Sequence, residues 1–215
     1  TGKPKRVILP GSDSVKWLDD YYTSWHTLAS EFPEVKYWEI DNEVNNPDFM
    51  HGIYGERDYT VREMADIAAD MFYYASRAIH DANPSATTIM GSMTEPQGLG
   101  KGNLLEFYQT LYDNIASGEF GYFYGKETSE SASADADDYF EVACWHPYVW
   151  GKFNADYFVE VNNEYYQIIL DNEGKHKEVI FSEVGFNDVK SDEASATLYL
   201  EEMFEAIEER MPYVT

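Results

Sequence analysis

Apolar positions along the chain follow two alternating rhythms. Val15, Leu18, Tyr22, Trp25 and Leu28 lie three or four apart and predict a helix over 14–31, ended by Phe32-Pro33. The next apolar positions, Val35, Tyr37, Trp38 and Ile40, form the near-continuous run of a buried strand over 35–40. A second helix follows over 60–82, with Met64, Ile67, Ala68, Met71, Ala75 and Ile79 as its stripe and Thr60/Glu63 at capping-box spacing. Strand 87–93, helix 103–117, strand 139–148, helix 155–172 with Gly174 as its stop, strand 179–181 and helix 193–209 continue the series. Residues 5–9 predict a short strand and 212–215 the start of another. The loops 45–58 and 94–102 carry Pro and Gly, and 129–138 (SESASADADD) predicts a low-complexity surface loop within the polar insert 118–138.

Strand and helix thus alternate in units of roughly 45 residues. Strands that are apolar throughout are buried on both faces, as parallel strands covered by helices are. An open doubly wound sheet would read similarly. Two features favour a (β/α)8 TIM barrel: polar residues recur at strand C-termini, and no glycine-rich phosphate loop follows any strand. A whole barrel takes about 250 residues. The expectation is therefore one α/β domain over 1–215, a partial TIM barrel running from about strand 3 or 4 to the start of strand 8.

Composition narrows the partners. The net charge of −25, from 40 acids against 15 bases, argues against nucleic acid and anionic membranes, though not against a neutral ligand. Solubility alone would also explain it. The single cysteine, Cys144, permits no intramolecular disulfide. No apolar run approaches the roughly 18 residues of a membrane span.

The chemistry concentrates where strands end. The stretch 35–46 (VKYWEIDNEVNN) closes in Asp41, Asn42, Glu43 and Asn45, and 178–187 (EVIFSEVGFN) repeats the pattern with Glu183. In a barrel, catalytic groups sit at the C-terminal ends of the strands. Two carboxyl groups there meet the demand of glycoside hydrolysis: one protonates the leaving oxygen and the other attacks the anomeric carbon, about 5–5.5 Å away in retaining enzymes. Either Glu could instead be a structural charge.

Residues 37–43 (YWEIDNE) resemble the acid/base strand of clan A glycoside hydrolases, closest to family 39 and family 5-like retaining glycosidases; 181–185 (FSEVG) resembles the nucleophile strand, and 145–148 (WHPY) the strand between them. The resemblance implies Glu43 as acid/base, Glu183 as nucleophile, Asn42 on the sugar 2-hydroxyl and Tyr148 bonded to the nucleophile. It implies a retaining glycosidase acting on poly- or oligosaccharides without a cofactor, at the cell surface or outside the cell. Asp41 and Val44 depart from the family wording. Asp41 could raise the Glu43 pKa by repulsion, or point away.

His146 reads as a substrate hydrogen-bond donor or a buried, satisfied histidine; with no second His at matching spacing, no metal is expected. Trp150 could stack on a sugar or pack in a loop. Cys144 reads as a core thiol and Glu95 as a possible subsite residue. Strand alternation sets one condition: Asn42 and Glu43 face opposite ways unless the backbone bulges or turns there. Two rivals remain, a barrel that binds carbohydrate or a structural partner without turnover, and a metal-dependent hydrolase using His146. Oligomeric state is not readable.

Overall fold

The computed structural model describes residues 12–47, 49–50, 59–94, 101–119, 132–187 and 193–215. The elements in order are α1 (Ser12–Glu31), β1 (Tyr37–Glu39), α2 (Val61–Ala82), β2 (Thr87–Ile89), α3 (Lys101–Ser117), β3 (Ala143–Cys144), β4 (Tyr148–Trp150), α4 (Ala155–Glu173), β5 (Val179–Ile180), β6 (Gly185–Asn187) and α5 (Glu193–Arg210). The short strand expected at 5–9 and Glu95 lie outside the described residues.

The helices form where the stripes predict them. Thr60 caps α2: its hydroxyl accepts from the Glu63 amide while the Glu63 carboxylate accepts from the Thr60 amide, the full capping box. Asn154 caps α4, which ends in a left-handed Gly174. The strands are shorter than their apolar runs. The expected strand 139–148 divides into β3 and β4 around Pro147, which has no N–H to give a ladder, and the Tyr148 amide turns back to the His146 carbonyl.

Strand order follows chain order. β1 pairs parallel with β2, a bridge joins Ile89 to Val142, β3 pairs with β5, and a further bridge joins Val179 to Val214, all parallel. A second tier continues beyond it, with Thr94 bridged to His146 and β4 paired with β6. Five successive parallel segments with no reversal of order make a wall wound in one direction. A doubly wound sheet reverses partway. Successive helices, from α1 to α5, pack against one another outside the wall.

Two cores lie on the two faces of that wall. The large one, between strands and helices, holds Phe72, Phe107, Tyr108, Phe140 and Trp145. The small one, on the face away from the helices, holds Ile89, Val142 and Cys144 with Ile180 against them. This double burial is why the strands read as apolar throughout. Residues 143–146 alternate across the wall: Ala143 and Trp145 face the helices, while Cys144 and His146 face inward. At the opposite end of β5, Lys177 is buried between Glu173, Asp137 and the Phe140 carbonyl. Among the described residues no helix is long and apolar enough to cross a membrane.

Candidate active site

The site stands where β1 stops. Ile40 still donates to the Ile89 carbonyl, but Asp41 and Glu43 then take left-handed backbone angles, φ 68° and 46°. Non-glycine residues rarely sit there, so two on either side of Asn42 mark a sharp, imposed turn. This break meets the alternation condition: Asn42 and Glu43 are released from the strict period of the strand.

Side chains from the stretch after β2 hold the turn. The Glu43 amide donates to Ser92 Oγ at 3.3 Å and Ser92 Oγ to Asn42 Oδ1 at 3.3 Å, while the Val44 amide donates to the Ser92 carbonyl. Asn45, fully buried, carries both partners of a peptide group on its side chain: it accepts from the Thr94 amide at 2.9 Å and donates to the Thr94 carbonyl. It extends the sheet where the backbone has left it. Gly91 makes the approach possible, because a Cβ there would lie 2.0 Å from the Ile40 carbonyl oxygen.

The turn aims Glu43 at His146 and Glu183. Glu43 Oε1 lies 3.3 Å from His146 Nδ1, and Oε2 accepts from Asn46 Nδ2 at 2.8 Å. Glu183 Oε2 accepts from the Tyr148 hydroxyl at 2.6 Å and stands 3.8 Å from the same His146 Nδ1. One donor atom from each of Glu43, His146 and Glu183 falls within 4.8 Å of the others. Glu183 is half-exposed, Glu43 mostly covered, and the His146 side chain only 1 % exposed beneath them. A small cation would fit inside this set by distance alone. Each carboxylate already has a hydrogen-bond donor of its own, however, and among the described residues His146 is the one imidazole in this group, so acid–base chemistry suits the groups better.

Burial pushes the Glu43 carboxyl up, yet the hydrogen bonds from His146 and Asn46 outweigh it and hold it below the ordinary carboxylate value. The direction is opposite to the rise expected from Asp41. The reason is geometric: the Asp41 carboxylate accepts from Tyr21 of α1 and faces the helix layer. The hydrogen bond to Glu183 pushes the Tyr148 hydroxyl up to about 12, so it is a firm proton donor at neutral pH. Burial pushes the Cys144 thiol up to about 12, which leaves it protonated and unsuited to attack.

No family model matches the chain, and no curated protein matches it. Solved structures do. A fungal β-1,4-galactanase matches with TM-score 0.58 at 13 % identity, covering 93 % of this chain and 57 % of its own. The intracellular xylanase TsXylA from Thermoanaerobacterium saccharolyticum matches with TM-score 0.55 at 14 % identity over 92 % of this chain and 54 % of that one. A psychrophilic family 10 endo-β-1,4-xylanase matches with TM-score 0.55 at 9 % identity over 96 % and 57 %. The fold is that of clan A glycoside hydrolases. The chain spans a little over half the length of these neighbours. They are a galactanase and two xylanases, one of them of family 10, so the likeness to families 39 and 5 stands at the level of the clan.

Within this clan fold the sequence-predicted residues fall as follows. Glu43, Glu183, His146 and Tyr148 converge, and Asn42 is exposed beside them. Trp150 ends β4, paired with Asn187, and its side chain lies outside the described residues. Behind β4, on the α4 side, a cavity of about 260 Å³ touches Trp145, His146, Tyr148 and Asn162 without reaching either carboxylate. Sequence reasoning missed four supports: Ser92, Asn46, Ser182 and Glu39. Glu39 left a trace, a charge at an inward position of an otherwise apolar strand.

Proposed function

We propose that the chain forms the catalytic part of a (β/α)8-barrel retaining glycoside hydrolase, covering the fourth strand to the start of the eighth. The observation that carries this reading is the approach of Glu43 and Glu183 to within 4.8 Å, one just past β1 and the other just past β5, at the same end of the parallel wall. A retaining pair stands about 5–5.5 Å apart, whereas an inverting pair needs roughly 6.5–9.5 Å to admit a water. In the first half-reaction a Glu183 oxygen bonds to the anomeric carbon as the glycosidic C–O bond breaks, and Glu43 gives a proton to the departing oxygen. In the second, Glu43 takes a proton from water, whose oxygen displaces Glu183.

The non-catalytic barrel predicts a gap well beyond 6 Å or a carboxylate turned outward; neither fits these distances. Its sequence support also weakens, since Val44 is core and Asp41 is engaged by Tyr21. The neighbours' activities, on β-1,4-galactan and xylan, support a β-linked polysaccharide as the substrate class. The test is a glycan panel including galactan and xylan, with the anomer released followed by NMR. Wild-type protein should release product with retained configuration. Glu183→Gln should lose activity at least about 10³-fold. Full activity of that variant on every cleaved glycan, or an inverted product, overturns the proposal.

A further inference from the structure

His146 is held from behind as well as from the front. Its Nδ1 faces the two catalytic carboxylates, and its Nε2 lies 3.0 Å from Ser182 Oγ. Ser182 Oγ in turn donates to Glu39 Oε1 at 3.1 Å. Cys144 Sγ sits 3.3 Å from Ser182 Oγ and 3.8 Å from Glu39 Oε1. These groups come from three strands of the wall: Glu39 from β1, Cys144 from β3 and Ser182 just past β5.

Counting protons settles the direction of each bond. A carboxylate only accepts, so the single Ser182 proton points to Glu39. Ser182 then has only lone pairs to offer, and His146 Nε2 must be the donor. Cys144, protonated, supplies a further donor to the same corner. With Nε2 carrying a proton, Nδ1 is either bare or protonated as imidazolium. A bare Nδ1 facing two carboxylates is repulsive, so one proton must lie on the edge between His146 Nδ1 and Glu43 Oε1. Asn46 donates to the other oxygen of Glu43, and Tyr148 donates to the Glu183 oxygen that faces Nδ1, which leaves the Glu43 Oε1 edge for the shared proton.

We propose that Glu39 and Ser182 are positioning residues that fix the Nε2-protonated form of His146 and so keep a transferable proton on the edge shared by His146 Nδ1 and Glu43 Oε1. Their catalytic role rests on the glycosidase reading above; the tautomer itself does not. When the shared proton passes through Glu43 Oε1 to the glycosidic oxygen, the bond pair of the C–O bond goes to that oxygen and Glu183 forms the new bond. His146 remains with its Nδ1 lone pair toward the Glu43 carboxylate. In the second half-reaction the proton taken from water returns to the same edge. The charged and titratable groups around His146 are Glu39 and Glu43 from β1 and its turn, Cys144 and Tyr148 from its own stretch, and Glu183 beside Ser182. Among the described residues Glu39 is the one anion hydrogen-bonded on the Nε2 side.

The first measurement needs no substrate. Two-bond ¹H–¹⁵N correlation of histidine-labelled protein, with His146 assigned by its loss in His146→Gln, should show Nε2 protonated at neutral pH. An unprotonated Nε2 overturns the proposal. Glu39→Gln replaces a pure acceptor with an amide that can donate to Ser182, so the Ser182 proton can turn to Nε2 and the Nδ1-protonated tautomer should appear. Glu39→Asp should keep the original form. In activity, Glu39→Gln and Ser182→Ala should lower kcat by about 10²-fold with KM changed less than threefold, and should move the basic limb of kcat/KM to lower pH. Ser182→Thr, which keeps the hydroxyl, should recover most of kcat. Unchanged kcat in both disruptive variants, or an equal loss in Ser182→Thr, overturns the catalytic role. A wild-type chain inactive on every glycan would count against the glycosidase reading, and the NMR result would still decide the tautomer.

Discussion

Removing the positive charge of Lys177 should unfold the chain far more readily than its single position suggests. Its ammonium is 1 % exposed and spends its three protons on Glu173 Oε1 at 2.9 Å, Asp137 Oδ1 at 3.0 Å and the Phe140 carbonyl at 2.9 Å. Glu173 is equally covered, with a 3 % exposed side chain; Tyr112 donates to its Oε1, and its Oε2 has no hydrogen-bond partner. In Lys177→Met, Glu173 remains buried as an anion with one hydroxyl for support. Breaking such a pair from one side costs about 3–5 kcal/mol. For a domain of this size each kcal/mol is worth roughly 2–4 °C, so Tm should fall by roughly 6–20 °C. Replacing both partners by apolar residues of similar volume is often neutral. The double variant Lys177→Met/Glu173→Leu should therefore recover most of the loss, with a coupling of at least about 2 kcal/mol. Urea unfolding followed by far-UV circular dichroism measures all of the corners of this cycle. A cost below about 1 kcal/mol for Lys177→Met, or a double variant no better than the single one, would refute the reasoning.

Two further outcomes concern the site. Gly91→Ala puts a Cβ against the Phe72 ring and against the Ile40 carbonyl, which is backbone and cannot swing aside. It should cost about 3 kcal/mol, the upper end for overpacking, and lower activity by displacing the turn that holds Glu43; denaturant midpoint and kcat read the two effects separately. Tyr148→Phe removes a 2.6 Å hydrogen bond to Glu183. A hydrogen bond to a charged group is worth about 1.5–3 kcal/mol, so kcat/KM should fall about 10- to 100-fold on any glycan the wild type cleaves; a change under threefold would show that this contact is unused in the reaction.

Much of this was legible because helices announce themselves locally. The apolar stripe and Thr60/Glu63 box of α2 lie within one contiguous window, and the structure keeps both. Strands are legible only as apolar runs. Their length depends on a distant partner, so the six- and ten-residue expectations shrank to two or three paired residues. The carboxylates at strand ends were visible as charge where apolar sequence stops. Their supports were not. Ser182 and Glu39 are 143 positions apart and meet only after the wall winds. Asn45 read as one more polar residue in a burst, when its amide in fact replaces a missing peptide pair with Thr94. The Asp41 and Glu43 turn gave no glycine to announce it.

That turn sets the backbone and the chemistry at odds with each other. At φ 46°, position 43 favours Gly, Asn or Asp, and a longer side chain there carries a conformational cost. Selection for stability alone would drift away from glutamate, and each such drift would shorten or delete the carboxylate that lies 3.3 Å from His146. Glutamate persists at that angle only under a demand that stability does not make. A stabilising substitution at position 43 would therefore be the change that most completely silences the site, and ranking variants of this chain by folding energy would place it first.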